Sequence, residues 1–202
     1  IAFSISFYFS VISSGNVNFE YIYYTLPTIL VLAFIIPLLT MRSFSEERKT
    51  GTEQLLLTSP ISITKVVLGK FIAALLIVII TELCTFMYFG ILCHYGVPKL
   101  TTTFATLLGF LLFVMSYISF GMLTSSLTEN QIIAAVSTIA IFVLAWLAPS
   151  ISTKLTAISL IEKFYPFATG VFPITETISL ISITAMFVAL TMVVIKRRKL
   201  VK

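Results

Sequence analysis

Charge is scarce in this chain. Lys, Arg, Asp and Glu make up 10% of its 202 residues, against roughly 25% in ordinary soluble domains. With 58% hydrophobic residues and a mean hydropathy of +1.09, too little polar surface remains to solvate a globule, and the chain reads as an integral membrane protein. Histidine is nearly missing as well. His94 is the only one, whereas a metal site takes three or four ligands; its place beside Cys93 at the end of an apolar run suits an interfacial residue, and no metal is expected. The two cysteines, Cys84 and Cys93, lie nine positions apart in one apolar run, so on a helix they point to opposite sides, and they read as small core-like residues. There is no Ser, His and Asp set, no paired carboxylates in one span and no His-rich cluster, which leaves an intramembrane enzyme little to work with. The phosphate-cradling loop Gly-x-x-x-x-Gly-Lys-Ser/Thr is absent. Its nearest approach, Lys65-Val-Val-Leu-Gly69-Lys70-Phe71, lacks the first glycine and the final hydroxyl; Gly69-Lys70 reads more simply as the start of a span with Lys70 snorkelling to the headgroups. The net charge of +5 does not argue for nucleic acid, because the basic residues flank apolar runs and no recognition module accompanies them.

What the chain does have is long apolar runs, at 25–41, 66–93, 104–124, 131–148 and 178–195, with a partial one at 1–13. At about 1.5 Å per residue each full run crosses or nearly crosses a hydrocarbon core of roughly 30 Å. Backbone groups in lipid must bond within their own segment, so the runs are helices, and the alternating strands of a barrel are absent. The expected fold is all-α: one domain over 1–202, a polytopic membrane bundle of six transmembrane helices. Ile1 is no initiator methionine and the 1–13 run is short of a span, so the first helix is expected to be truncated, with residues preceding it. No period of 20 to 50 residues suggests a repeat array.

Basic residues set the orientation. Arg42, Arg48, Lys49, Lys65, Lys70, Lys196, Arg197, Arg198, Lys199 and Lys202, ten in all, fall on one face, and only Lys99, Lys154 and Lys163 on the other. The first face is expected to be cytoplasmic, and with it both termini, the 42–65 loop and the turn 125–130, in a bacterial plasma membrane. The segment 149–177, with Pro149, Pro166, Gly170 and Pro173, falls outside; its apolar pieces are too short to span and lie at the interface or re-enter. Trp146 and tyrosines 21, 23, 24, 95 and 165 are expected to form an aromatic belt near the outer boundary.

The polar island from Arg42 to Lys65 holds seven charged residues between two apolar runs. Ser43-Phe-Ser-Glu46 has capping-box form and predicts a helix start. Glu46 and Glu47 early, and Arg48 and Lys49 later, suit the helix dipole; Leu55, Leu56 and Leu57 give an apolar end before Pro60 stops the helix. Such a segment either lies on lipid with its charges solvated or fits a groove on a cytoplasmic partner. Glu129, Asn130 and Gln131 mark a second turn on the same face, placed to cap the following helix.

These residues resemble a known family. Glu46-Glu47-Arg48-Lys49-Thr50-Gly51-Thr52, followed by Leu55-Leu56, Thr58-Ser59-Pro60 and Gly69-Lys70, is similar to the signature of type-2 ABC transporter permeases, and within them to the gliding-motility (GldF-like) branch. Ser126 to Ala134 is a second match and Phe164 to Val171 a third. The chain departs from that pattern in having Gln54 before the leucine pair, with its glutamate one earlier at Glu53, and Thr169 where a basic residue precedes the Gly-Val pair. The resemblance implies an ABC exporter-like permease subunit that pairs with a second permease copy or paralogue in the membrane lipid and leaves ATP to a separate ATPase subunit. It further implies an ATPase-coupling element over about Phe44 to Thr58, carried by Phe44, Glu46, Glu47, Arg48, Gly51, Thr52, Glu53, Leu55, Leu56 and Pro60, with the turn at Glu129, Asn130 and Gln131 touching the same ATPase. Rival readings are a lipid, drug or ion exporter of another branch and a polytopic scaffold without transport activity.

Glu82 stands apart, in the middle of the 66–93 run. An ionisable group at that depth is costly, and either glues helices through Ser or Thr or belongs to a substrate or ion path.

Overall fold

The computed structural model describes residues 2–8, 18–54, 61–95, 98–151 and 159–201, and among these every regular element is helical. In chain order the helices are α1 (Ala2–Phe7), α2 (Tyr21–Tyr24), α3 (Leu26–Thr40), α4 (Arg42–Lys49), α5 (Ile63–Tyr95), α6 (Leu100–Leu127), α7 (Gln131–Ile151), α8 (Leu160–Ala168) and α9 (Ile174–Val201). Five stretches are long and apolar enough to cross a membrane: Leu26–Lys49, Ile63–His94, Leu100–Leu127, Gln131–Ser150 and Ile174–Arg198. The partial first run is represented by α1, six residues long and too short to cross alone. At 33 residues, α5 is about 50 Å long, so its ends project beyond a core of roughly 30 Å.

Helix α6 is the axis. Inside its most apolar window 61% is buried, against 11% to 28% for the other four, and α3, α4, α5, α7, α8 and α9 all pack on it. Its sequence explains the position. Small and hydroxyl-bearing residues, Gly109, Ser116, Gly121 and Ser125, recur along it and let neighbouring backbones approach. A Cβ on Gly109 would collide with the Phe167 side chain of α8, and one on Gly121 would come within 3.0 Å of Thr40 Cβ in α3. Ser116 Oγ lies 3.0 Å from both Leu180 O and Thr184 Oγ1 of α9, which joins the two helices through a buried polar contact.

Proline creates one demand that α6 meets. Pro37 within α3 has no N–H, so the carbonyl four residues back, Ala33 O, loses its helical donor. The buried Tyr117 hydroxyl of α6 donates to that oxygen at 3.1 Å. Helix α7 runs through Pro149 to Ile151, past the expected end at 148. The 149–177 segment contributes α8, capped by Ser159 Oγ accepting from the Glu162 amide at 3.4 Å; Ser159-Leu-Ile-Glu162 is itself a capping-box pattern. Phe164 and Phe167 bury α8 against α6, with Phe164 and Phe113 rings 5.9 Å apart.

Two smaller expectations are corrected. Tyr23 is no belt residue but a core one, 1% exposed and 4.8 Å from the Phe110 ring. Cys84 and Cys93 are both exposed, on parts of α5 that no neighbouring helix covers; hydropathy says that a residue avoids water, not that protein covers it.

The Pro37–Tyr117 pairing gives a thermodynamic cycle. Tyr117→Phe is expected to cost about 1–3 kcal/mol in detergent unfolding, because Ala33 O stays buried without a donor. In a Pro37→Ala background, where the residue 37 amide can return to Ala33 O, the same change is expected to cost clearly less. Unfolding followed through Trp146 fluorescence measures both.

Candidate functional site

The polar island and three distant elements converge at one end of the bundle. The chain passes from α3 to α4 through Met41 in helical dihedrals, φ −56° and ψ −35°, with no side-chain cap. The expected capping box at Ser43 therefore does not form: Ser43 lies inside the first turn of α4, and no break precedes it for a cap to close. Ser125 of α6 does that work instead. Its buried hydroxyl accepts from the Phe44 and Ser45 amides at 3.1 and 3.2 Å and donates to Met41 O at 2.8 Å. One donor and two lone pairs are thereby all used.

The expected single helix over about Phe44 to Thr58 is broken. Helix α4 ends at Lys49, Thr50 is its cap, and Gly51 takes φ +75°, the left-handed conformation that glycine adopts at a helix C-terminus. The Thr50 hydroxyl donates back to Glu46 O at 2.9 Å and lies 2.9 Å from Thr52 Oγ1. The chain returns to a helical turn at Glu53 and Gln54. Leu55, Leu56 and Pro60 lie outside the described residues.

Beyond the break, charges pair over long sequence distances. Arg48 Nη2 reaches Glu129 Oε1 at 2.6 Å, and Arg48 Nε lies 3.7 Å from Glu53 Oε2. Glu53 Oε1 in turn meets Arg198 Nη1 of α9 at 3.3 Å, and Arg198 Nη2 donates to Ser126 O at the end of α6. The Arg48 and Glu53 side chains are 17% and 15% exposed, so this bridge is better shielded than a surface ion pair. On the other flank Lys70 of α5 pairs with Glu47 Oε1 at 2.6 Å, donates to Ser43 O and stands 4.3 Å over the buried Phe44 ring. Lys70 is thus engaged with α4 and does not snorkel. Two sealed atoms, Glu47 Oε2 and Arg48 Nη1, have no hydrogen-bond partner among the described residues.

The remaining island residues turn outward. Glu46, Lys49, Thr50, Gly51 and Thr52 are exposed and contiguous around the break. Next to them is the α6–α7 turn, where Asn130 Oδ1 accepts from the Ile132 amide at 2.9 Å and caps α7. Gln131 is the first residue of α7, and Leu127, Ile132 and Ile133 expose large apolar side chains beside it. The arrangement is a polar shoulder, braced from beneath by α5, α6 and α9 and bordered by apolar side chains. Among the described residues no three His, Cys, Asp or Glu side chains come together as a metal site would need.

Sequence reasoning missed Arg198, Lys70 and Ser125 as parts of this assembly. Arg198 belongs to a basic run at the end of a span, and sorting by side gives no sign of which basic residue turns back to Glu53. For the helix break there was a signal: glycine immediately after Arg48-Lys49-Thr50 is a helix C-terminus pattern.

If the Arg198–Glu53 bridge holds the island against the spans, Arg198→Ala is expected to speed trypsin cleavage after Lys49 in detergent micelles by roughly fivefold, the equivalent of about 1 kcal/mol of local opening. Charge exchange, Arg198→Glu with Glu53→Arg, is expected to restore part of the protection; equal cleavage in all three proteins would contradict the bridge.

No curated protein and no solved structure matches the chain. The model of the family described as ABC-2 family transporter protein matches residues 2–195, which takes in the first four spans, all but the last three residues of the fifth, the island and the α6–α7 turn. The chain is a multi-pass membrane component and belongs to the ABC-2 family of transporter proteins.

Proposed function

We propose that the chain is a permease subunit whose polar shoulder docks a separate ATP-hydrolysing subunit, and that it works as a pair with a second copy or a paralogue. The observation that carries this reading is the contrast within the island. Glu46, Lys49, Thr50, Gly51 and Thr52 face outward, while their neighbours Glu47, Arg48 and Glu53 are tied to α5, to the α6–α7 turn and to α9. A surface that only rested on lipid has no need of bracing to two spans and to the turn that joins two more. A surface that receives force has, because a push on the shoulder passes through Lys70, Glu129 and Arg198 into helices that cross the membrane.

Transmission needs differential affinity: the ATPase must bind one arrangement of the spans better than another, and nucleotide-driven closure then shifts the population. The face with ten basic residues, with Arg48, Lys70 and Arg198 gathered at one end of the bundle, supports placing shoulder and termini in the cytoplasm of a bacterial plasma membrane. The order of the Glu46–Thr52, Leu55-Leu56 and Ser59-Pro60 strings supports the gliding-motility branch as the narrower assignment.

The test is purification of the protein from its native membranes in mild detergent. A stoichiometric partner with Walker motifs, lost when Leu55 and Leu56 are both changed to Asp while the permease stays folded, is the expected outcome. Absence of any such ATPase under conditions that keep other membrane complexes intact would favour the scaffold.

A further inference from the structure

Glu82 of α5 lies between two cavities. On one side is a cleft of about 540 Å³ between α5 and the outer half of α6, walled by Leu83, Phe86, Phe104, Leu108 and Phe172 among others; every lining side chain except Glu82 is hydrocarbon. On the other side a cavity of about 180 Å³ separates α5 from α3. The carboxylate is not used as helix glue: its Oε1 is sealed and has no hydrogen-bond partner among the described residues, although Thr81 and Thr85 stand on the same helix, because their hydroxyls donate to Ile77 O and Thr81 O at 2.8 and 2.9 Å. The buried Tyr23 hydroxyl lies within the electrostatic reach of Glu82 but faces Thr85, and it does not pair with the carboxylate.

We propose that this cleft is a binding site for a lipophilic monocationic amine that enters from the bilayer, with its ammonium on Glu82 and its hydrocarbon along the α5–α6 walls. A lone carboxyl at this depth is costly unless a proton or a cation answers it. Among the described residues no basic side chain lines the cleft to do so, and an anionic or many-hydroxyl headgroup would meet a carboxylate and carbon walls. The rings of Phe86, Phe104 and Phe172 offer faces to a cation. Leu83, Phe104 and Phe172 are exposed on the outside of the bundle, so the approach is from the side and not along a central pore. The volume falls within the range of small-molecule pockets. Calling the ligand a cargo rests on the permease reading; the site itself does not.

The test uses the full chain in phosphatidylcholine nanodiscs, without nucleotide or ATPase, and a diazirine-bearing hexadecylamine as photoprobe. Labelling is expected on α5 and α6 along the cleft, competed by hexadecylamine and not by hexadecanol or hexadecanoic acid. Glu82→Gln is expected to weaken it about tenfold, the loss of one charge-assisted contact. Leu108→Trp, which fills the cleft and leaves the carboxyl in place, is expected to abolish it. Equal competition by the alcohol, or full labelling of Glu82→Gln, would overturn the proposal and leave an acyl-chain groove. Since no ATPase is present, a failure here refutes the site, whereas a missing partner in the purification refutes the permease reading.

Discussion

The bundle depends on one constraint, that helices in lipid can meet closely only where side chains are small and backbone carbonyls find donors. Helix α6 satisfies it for the whole protein. Gly109 admits Phe167 of α8, Gly121 admits Thr40 of α3, Ser116 bonds across to α9, and Tyr117 supplies the donor that Pro37 removed from α3. Ser125, the last of the series, does the same at the membrane edge by closing the α3–α4 junction. The polar shoulder is therefore built on the same helix that organises the spans, and a displacement of one is felt by the other.

Charge completes the coupling. Each of the three braces, Lys70 with Glu47, Glu129 with Arg48 and Arg198 with Glu53, ties the island to a different element. None is a large energy alone, as partly exposed pairs contribute on the order of 1 kcal/mol. Their value is geometric: together they hold α4 at a fixed angle to α5, α6 and α9 while leaving the Glu46 to Thr52 surface outward. In contrast, α5 beyond Lys70 turns most of its surface away from the bundle, with 11% of its most apolar window buried, and it is this helix that carries Glu82 to the cleft.

The helical bundle and its long spans were legible because lipid imposes length and apolarity on each crossing segment separately, and both can be counted along the chain. The polar island was legible for the converse reason, as an interruption. What could not be read was which side of an apolar helix meets protein: Cys84 looks like Ala134 to a hydropathy count, yet one faces outward and the other is buried. Nor could pairing across 145 residues, Glu53 with Arg198, be inferred from a run of basic residues that all share a side. The helix break at Gly51 was written in the sequence, but Leu55 to Leu57 and Pro60 offered a competing stop, and length favoured the longer helix.

The account stands or falls on what the shoulder touches in the membrane. A photocrosslinking amino acid placed at Lys49 or Thr52, both outward, and at Glu47, which is held by Lys70, discriminates directly in intact cells. The account predicts an adduct with a nucleotide-binding protein from positions 49 and 52 and none from position 47. Adducts with lipid alone from all three positions would contradict it and return the island to the membrane surface.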